Sequence, residues 1–182
     1  QYEARTDELT GVGNYRSLME SLGEEIARAA RFGRPLAYLM IDVDSLKPYN
    51  DTYGHQVGDV VLRQIGQTLR GQVREIDVVC RYGGDEFAVI LLEPSDGGAV
   101  VAAERLRRAV EDLAVTVRGI EARVTVSIGG AVYPEDGATS AELVASADSA
   151  LYAAKSHGKN RVHMAERRHP SPQAGAAPTV PS

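Results

Sequence analysis

Apolar positions along this chain follow two patterns, recurring at helical spacing in some stretches and running unbroken in others. From Tyr15 to about Arg31, the residues Leu18, Met19, Leu22, Ile26 and Ala29 share one face, and Gly33-Arg34-Pro35 ends the run, which predicts a helix. The next stretch, LAYLMIDVD, is continuously apolar until two acids close it, as expected of a buried strand carrying Asp42 and Asp44 out at its C-terminal end. Val61, Leu62, Ile65 and Leu69 then fall on one helical face that Asp59 could cap and Gly71 ends. DVVCRYGGDEFAVILL reads as two strands joined across Gly83-Gly84, the second apolar enough to be buried. An amphipathic helix is expected from Ala99 to Leu113, and ARVTVSIGGAVY reads as a β-branched strand. A further helix from about Ser140 to Lys155 and a short strand at RVHM complete the series.

The order α-β-α-β-β-α-β-α-β predicts an α+β fold: a ferredoxin-like βαββαβ palm domain with an added N-terminal helix and extra C-terminal elements. Polymerase palms and nucleotidyl cyclases share that layout, so the layout alone does not select a function. With 182 residues the chain suits one domain with one core, here residues 1–165. Residues 166–182 lose their large apolar side chains and become rich in Pro and Ala, which reads as a disordered tail.

Composition narrows the partners. Apolar residues at 43% and charged residues at 25% are ordinary for a globular body. A net charge of -5 argues against gripping a long nucleic acid, which needs a broad basic surface, whereas a small anion needs only a local cluster of cations. Cys80 has no second cysteine to pair with and sits in an apolar stretch, so a buried free thiol is expected. No apolar run approaches the roughly 20 residues that span a bilayer, and the first residues lack signal-peptide character. The expectation is a cytoplasmic domain that makes no membrane contact itself. Because it starts at Gln1, it also reads as a piece of a longer protein, missing an N-terminal regulatory region that could be a sensor or a membrane anchor.

Candidate chemistry lies at two strand ends. Asp42 and Asp44 are two apart on a strand, hence on one face, and Asp85 and Glu86 follow the glycines of the hairpin. Acids at strand ends are ordinarily just solvated, and paired glycines are ordinarily a tight turn. If the two segments are neighbours, however, their carboxylates converge and offer the hard oxygen ligands that suit Mg²⁺ on a nucleoside triphosphate.

These same residues carry a resemblance. RYGGDEF, Arg81 to Phe87, resembles the signature of the GGDEF family of diguanylate cyclases, and IDVDSLKPYNDTYGHQVGDVVL is similar to that family's metal- and guanine-binding segment in residues and spacing. DELTGVGNYR and YAAKSHGKN match two further blocks in the same order, so the resemblance runs from Asp7 to about Val162. It implies an enzyme that condenses two GTP into cyclic di-GMP with release of two pyrophosphates. It implies that Asp42, the carbonyl of Val43 and Asp85 hold Mg²⁺ (or Mn²⁺), with Glu86 close to the reacting centre. The 3′-hydroxyl of one GTP must attack the α-phosphorus of the other, and cations both acidify that hydroxyl and screen the phosphates. Glu86, Asp44 or a water held by the metal could take its proton.

The resemblance further implies that Asn50 and Asp59 read guanine. Asp accepts from N1–H and N2–H, while adenine would leave it unpaired at a cost of about 1–3 kcal/mol, which favours GTP over ATP. Ser45, Leu46, Lys47, Gly83, Gly84, Lys155 and Lys159 match positions at the phosphates. Lys159 departs from the common Arg, giving a point charge in place of a bidentate fork. Tyr15, Leu46 and Gly13 also depart, from the more usual Arg, Phe and Pro. Arg74 and Asp77 fit the family's RxxD inhibitory site and Arg105 its second arginine, which implies product inhibition by cyclic di-GMP. One domain is expected to bind one GTP, so the active form is expected to be a homodimer. The rival readings are a domain of the same family that has lost catalysis and only binds cyclic di-GMP or GTP, and a polymerase-like or adenylyl-type enzyme. Asp59 and the net charge argue against the latter. His55 has no partner at metal-ligand spacing and reads as structural, while His157, His163 and His169 carry no signal.

Overall fold

The computed structural model describes residues 4–166. The tail expected at 166–182 therefore lies outside the described residues, except for Glu166. The elements are α1 (Tyr15–Phe32), β1 (Leu36–Asp44), α2 (Leu46–Tyr53), α3 (His55–Gly71), β2 (Val78–Gly83), β3 (Glu86–Leu92), α4 (Gly98–Glu111), β4 (Val115–Val117), β5 (Ile120–Ala122), β6 (Thr125–Tyr133), α5 (Ser140–Ser156) and β7 (Val162–Met164).

The main sheet runs β2-β3-β1-β6-β7. The pairs among β2, β3, β1 and β6 are antiparallel and β7 joins β6 in parallel. Omitting α1, α2, β4, β5, α5 and β7 leaves βαββαβ with β1 central, which is the α+β palm-like layout expected.

β1 is buried at all nine positions because helices cover both faces of the sheet, and this is why its sequence does not alternate. Ala37, Leu39, Ile41 and Val43 join Val61, Ile65 and Leu69 of α3 and Ala103, Leu106 and Val110 of α4 in one core. Leu36, Tyr38 and Met40 point the other way, into a second core with Leu18 and Leu22 of α1 and Leu143, Ala147 and Leu151 of α5. By parity Asp42 and Asp44 continue the α1/α5 face. Local chemistry fixes the ends of these helices: Asn14 caps α1 through Ser17 N, Gly33 at φ 63° ends it, and Thr139 with Glu142 forms a capping box on α5.

Three expectations need correction. The helix after β1 does not start at Asp59: the chain forms α2, breaks at Gly54 (φ 87°), and restarts at His55, so Asp59 lies one turn inside α3 and caps nothing. Pro48 is tolerated because the first turn of a helix leaves its N–H groups unpaired anyway. The stretch ARVTVSIGGAVY is not one strand: Ala122 ends β5 and β6 begins at Thr125. Between α4 and β6 a small hairpin, β4–β5, turns through Arg118 and Gly119, both at positive φ as a two-residue hairpin loop requires. His55 is exposed at the head of α3 and supports no core.

Candidate active site

The acidic site forms because β1 lies between β3 and β6. Asp42 pairs directly with Glu86 across β1–β3 and with Ser127 across β1–β6. Side chains directly opposite each other in antiparallel strands stand on one face. Asp42 and Asp44 are 9% and 6% exposed, so they are buried acids and not the solvated strand end that isolated acids would suggest. Asp85 sits in the turn between β2 and β3, half-buried, and its carbonyl accepts from Val43 N at 3.0 Å, which docks the turn on the end of β1.

α5 lays Lys155 across this group, its ammonium against Oδ2 of Asp42. Burial pushes the Asp42 carboxyl above the usual carboxylate range, Lys155 opposes this, and the charges of Asp85 and Asp44 add to it. Burial likewise raises Glu86, followed by the charge of Asp42, with Lys155 again opposing. For Lys155 burial works against the charge, but the hydrogen bond and attraction of Asp42, with Glu86 and Asp85 behind it, win and raise its pKa. Five charged groups, from β1, the β2–β3 turn, β3 and α5, thus sense one another, with more acids than bases among them.

Asp44 is differently employed. Its Oδ1 accepts from Ser127 Oγ at 2.8 Å, and its Oδ2 from Thr125 Oγ1 at 2.8 Å and from Asn160 N at 3.1 Å. Both oxygens are engaged in holding β6 and the segment after α5. Of the four acids expected to be catalytic, Asp44 is thereby the one the geometry turns to support.

The turn itself is braced by Arg81, for which no separate role was expected. Arg81 donates through Nε and Nη2 to the carbonyl of Gly84 at 3.1 and 2.7 Å and through Nε to that of Gly83 at 3.2 Å, while Nη1 meets Asp7. Asp7 in turn accepts from Thr10 N and Oγ1. The block DELTG therefore packs its acid against the signature's arginine; both lay inside matched motifs, but only the fold shows that they meet. Two of the departures also find partners. Gly13 donates from N to Val79 O at 3.0 Å, a bond proline could not make, and Tyr15 packs edge-on against Tyr82 with ring centroids 5.1 Å apart.

Among the phosphate candidates, Ser45 (φ 58°) and Lys47 are exposed, as are Gly83 and Gly84, whereas the Leu46 side chain is buried in the core and leaves only its backbone to a ligand. Lys159 is exposed at φ 62°. Asn50, at the C-terminal end of α2, packs so closely on α3 that a Cβ on Gly58 would come within 1.9 Å of its Oδ1. That oxygen is buried without a hydrogen-bond partner, next to the exposed Asp59. An unpaired buried acceptor is uncommon in a folded protein. Tyr49 Oη, bonded to Arg123 N and O, ties α2 to the connection between β5 and β6.

The expected inhibitory residues stand elsewhere. Asp77, 4% exposed, accepts from Arg74 N at 2.9 Å, from Arg74 Nε and Nη2 at 3.2 and 3.1 Å, and from Leu92 N at 3.0 Å. Leu92 and Glu86 are opposite ends of β3, about 20 Å apart at strand rise. Asp77 is thus a latch on the far end of β3 as well as one half of RxxD, and it holds the guanidinium of Arg74, whose side chain stays 54% exposed. Arg105 on α4 donates to Gln72 O at 3.0 Å, two residues before Arg74. Cys80 is buried as expected, and burial pushes its thiol up. Among the described residues no group of three or more His, Cys, Asp and Glu side chains has metal-binding geometry, and no helix is long and apolar enough to cross a membrane.

A palm-like sheet whose central strand ends in buried acids, beside a glycine turn that carries two more, is an arrangement that fits more than one class of domain. Comparison with known proteins narrows the choice. A family profile described as "Diguanylate cyclase, GGDEF domain" matches residues 4–161. Diguanylate cyclase DosC of Escherichia coli K12 is 42% identical over 166 residues, 90% of this chain and 36% of its own length. The GGDEF domain of TpbB (YfiN) from Pseudomonas aeruginosa superposes with a TM-score of 0.85 at 36% identity, over 88% of this chain and 94% of that one. The GGDEF domain of DgcB from Caulobacter crescentus, solved in complex with c-di-GMP, gives 0.84 at 32% identity, over 91% and 96%. The chain belongs to the GGDEF family of diguanylate cyclases. It spans about a third of the length of a relative such as DosC.

Proposed function

We propose that this domain condenses two GTP into cyclic di-GMP and two pyrophosphates, as a homodimer in which each protomer holds one nucleotide. The observation that carries the reading is the meeting of Asp42 and Glu86 on one sheet face, with Asp85 in the adjoining turn and Lys155 against Asp42, within motifs that match the family throughout. Each bond forms when the 3′-oxygen of one GTP attacks the α-phosphorus of the other. The α–β bridging P–O bond breaks, pyrophosphate leaves, and the hydroxyl proton passes to a base. With both oxygens of Asp44 occupied, Glu86 is the side chain left to receive it.

Mg²⁺ (or Mn²⁺) fits this donor set. It asks for only one or two protein carboxylates and completes its shell with phosphate and water, so a cluster of three acidic side chains is not needed. Oδ1 of Asp42 and the carboxylate of Asp85 have no protein hydrogen bond among the described residues, and with the Val43 carbonyl they would hold the ion. Bound there, it would supply charge neutralisation at the triphosphate and acidify the attacking hydroxyl. Lys155 and Lys159, with the backbone around Ser45, Leu46 and Lys47 and the side-chain-free turn at Gly83-Gly84, would bind the phosphates. Asn50 and Asp59 would orient guanine.

The test is product formation from GTP and Mg²⁺ at several protein concentrations, with ATP in parallel and products resolved by chromatography. A rate rising faster than linearly with protein, with GTP only, is the expected result. Binding of cyclic di-GMP without turnover at any concentration would instead make the domain a receptor. For the inhibitory site, Arg74→Ala is expected to raise product accumulation and to weaken cyclic di-GMP binding about tenfold or more, since a guanidinium offers phosphate a bidentate contact. An unchanged product titration would remove Arg74 from that site. Asp77 is a poorer choice for this test, because its loss would also strand the N–H of Leu92.

A further inference from the structure

Beyond α5 the backbone passes three successive residues through the left-handed region, Gly158 at φ 113°, Lys159 at 62° and Asn160 at 44°. Glycine adopts this conformation freely and asparagine tolerates it, but a lysine there is strained and must be held by its surroundings. The strained residue is, with Lys47 and Lys155, one of the three lysines assigned above to the phosphates, so what holds it bears on the site.

Asn160 does the holding. Its N–H donates to Oδ2 of Asp44 at 3.1 Å, which fastens the segment to β1. Its side chain is clasped from the other side by α4: Oδ1 accepts from Nη1 of Arg107 at 2.7 Å, and Nδ2 donates to Oε1 of Glu111 at 2.7 Å. Arg107 closes the ring, Nη1 donating to Oε2 of Glu111 at 2.8 Å. The Glu111 carboxyl is held below the usual range by the hydrogen bond from Asn160 first and that from Arg107 next. The Arg107 side chain is only 12% exposed, while that of Glu111, at 41%, closes the ring from the solvent side. Asp44 is itself fixed by Thr125 and Ser127. Next to Asn160, Lys159 N donates to Ala154 O at 3.1 Å, linking the turn to the helix that carries Lys155.

We propose that Asn160 is a positioning residue for the triphosphate: clasped by Arg107 and Glu111 of α4 and tied to Asp44 of β1, it keeps Lys159 in its left-handed conformation and sets Lys155 and Lys159 toward the phosphates. The proposal rests on the cyclase reading given above, through the role of those two lysines.

A donor–acceptor swap tests it. N160D keeps an acceptor for Arg107 but turns a carboxylate oxygen on Glu111, and the two repel. E111Q alone keeps an acceptor for Asn160 Nδ2 but turns its amide N–H groups on Arg107 Nη1, so it loses the bond that closes the ring while leaving the Asn160 contacts in place. In N160D/E111Q the glutamine amide can donate to the new carboxylate, so the clasp re-forms. The probes are 3′-deoxy-GTP with Mg²⁺, which binds but lacks the attacking hydroxyl, and amide exchange at residues 159 and 160 in the ligand-free protein. Expected for N160D are faster exchange at both amides and about tenfold weaker 3′-deoxy-GTP binding, the size of effect that a displaced supporting group produces, with a melting temperature close to that of the parent chain. The double variant is expected to regain both properties. Unchanged affinity in N160D despite fast exchange would overturn the positioning role, as would a double variant that recovers exchange protection but not affinity. A parent chain that bound no 3′-deoxy-GTP would overturn the cyclase reading, and the role of Asn160 with it, and the unaltered protein alone shows this outcome.

Discussion

Asp85→Ala is expected to cut cyclic di-GMP formation by at least about a thousandfold while leaving the fold intact, since a lost metal ligand removes charge stabilisation that nothing nearby replaces. The two halves of this expectation have separate structural causes. Asp85 contributes to the fold through its carbonyl, which accepts from Val43 N at 3.0 Å, and alanine keeps that bond. Its side chain stands half-buried at a turn and has no protein hydrogen bond among the described residues. Its charge, moreover, is among those that raise the pKa of Asp42 and Glu86, so its removal relieves like-charge repulsion in the protein without metal. Thermal unfolding is therefore expected at the same temperature as the parent chain or slightly above, in the same preparation in which chromatography finds no product. A variant retaining more than about a tenth of the parent rate would show that Asp85 does not hold the ion, because a metal ligand cannot be that dispensable.

This separation of function from stability explains how the sequence could be read as far as it was. The main strands and the four long helices α1, α3, α4 and α5 follow from apolar spacing because each buries a wide face, whereas the unbroken apolar run of LAYLMIDVD suggested one core and could not show that its alternate residues divide between two. The acids at positions 42, 44, 85 and 86 stood out because they interrupt or end apolar runs. What spacing could not show was what tertiary contacts decide. α2 spans eight residues with a proline in its first turn and buries only Leu46, so no periodic stripe announces it. β4 and β5 are three residues each, too short to alternate visibly. Within the site, spacing puts Asp42 and Asp44 on one face but is silent on their neighbours. Only the sheet order, with β6 on one side of β1 and β3 on the other, gives Asp42 to Lys155 and Glu86 and gives Asp44 to Ser127, Thr125 and Asn160. The bracing pair Arg81–Asp7 and the clasp Arg107–Glu111–Asn160 each join residues more than forty positions apart, with no local pattern to mark them.

Gly129→Ala and Gly130→Ala are expected to differ sharply, although they change adjacent residues of β6 by the same methyl group. A Cβ on Gly129 would lie 2.2 Å from both Ala147 O and Leu151 N and 2.7 Å from Leu151 Cα, so it meets the backbone of α5 itself. Backbone cannot swing aside: α5 would have to lift from the sheet along its most closely packed turn, losing contacts of Leu143, Ala147 and Leu151 with the core they share. A Cβ on Gly130 points to the opposite face and meets Sδ and Cε of Met164 and Cδ2 of Leu39, the far ends of flexible side chains. The expected cost is about 3 kcal/mol or more for Gly129→Ala and about 1 kcal/mol for Gly130→Ala, the upper and lower ends of what overpacking does in a filled core. Chemical denaturation measures both, and equal midpoints for the two variants would show that α5 can move away from β6 at little cost. The consequence reaches the site, because α5 carries Lys155 to Asp42 and leads into the turn at Lys159. Gly129→Ala is therefore expected to weaken nucleotide binding even at temperatures where the variant remains folded, whereas Gly130→Ala is expected to bind as the parent does.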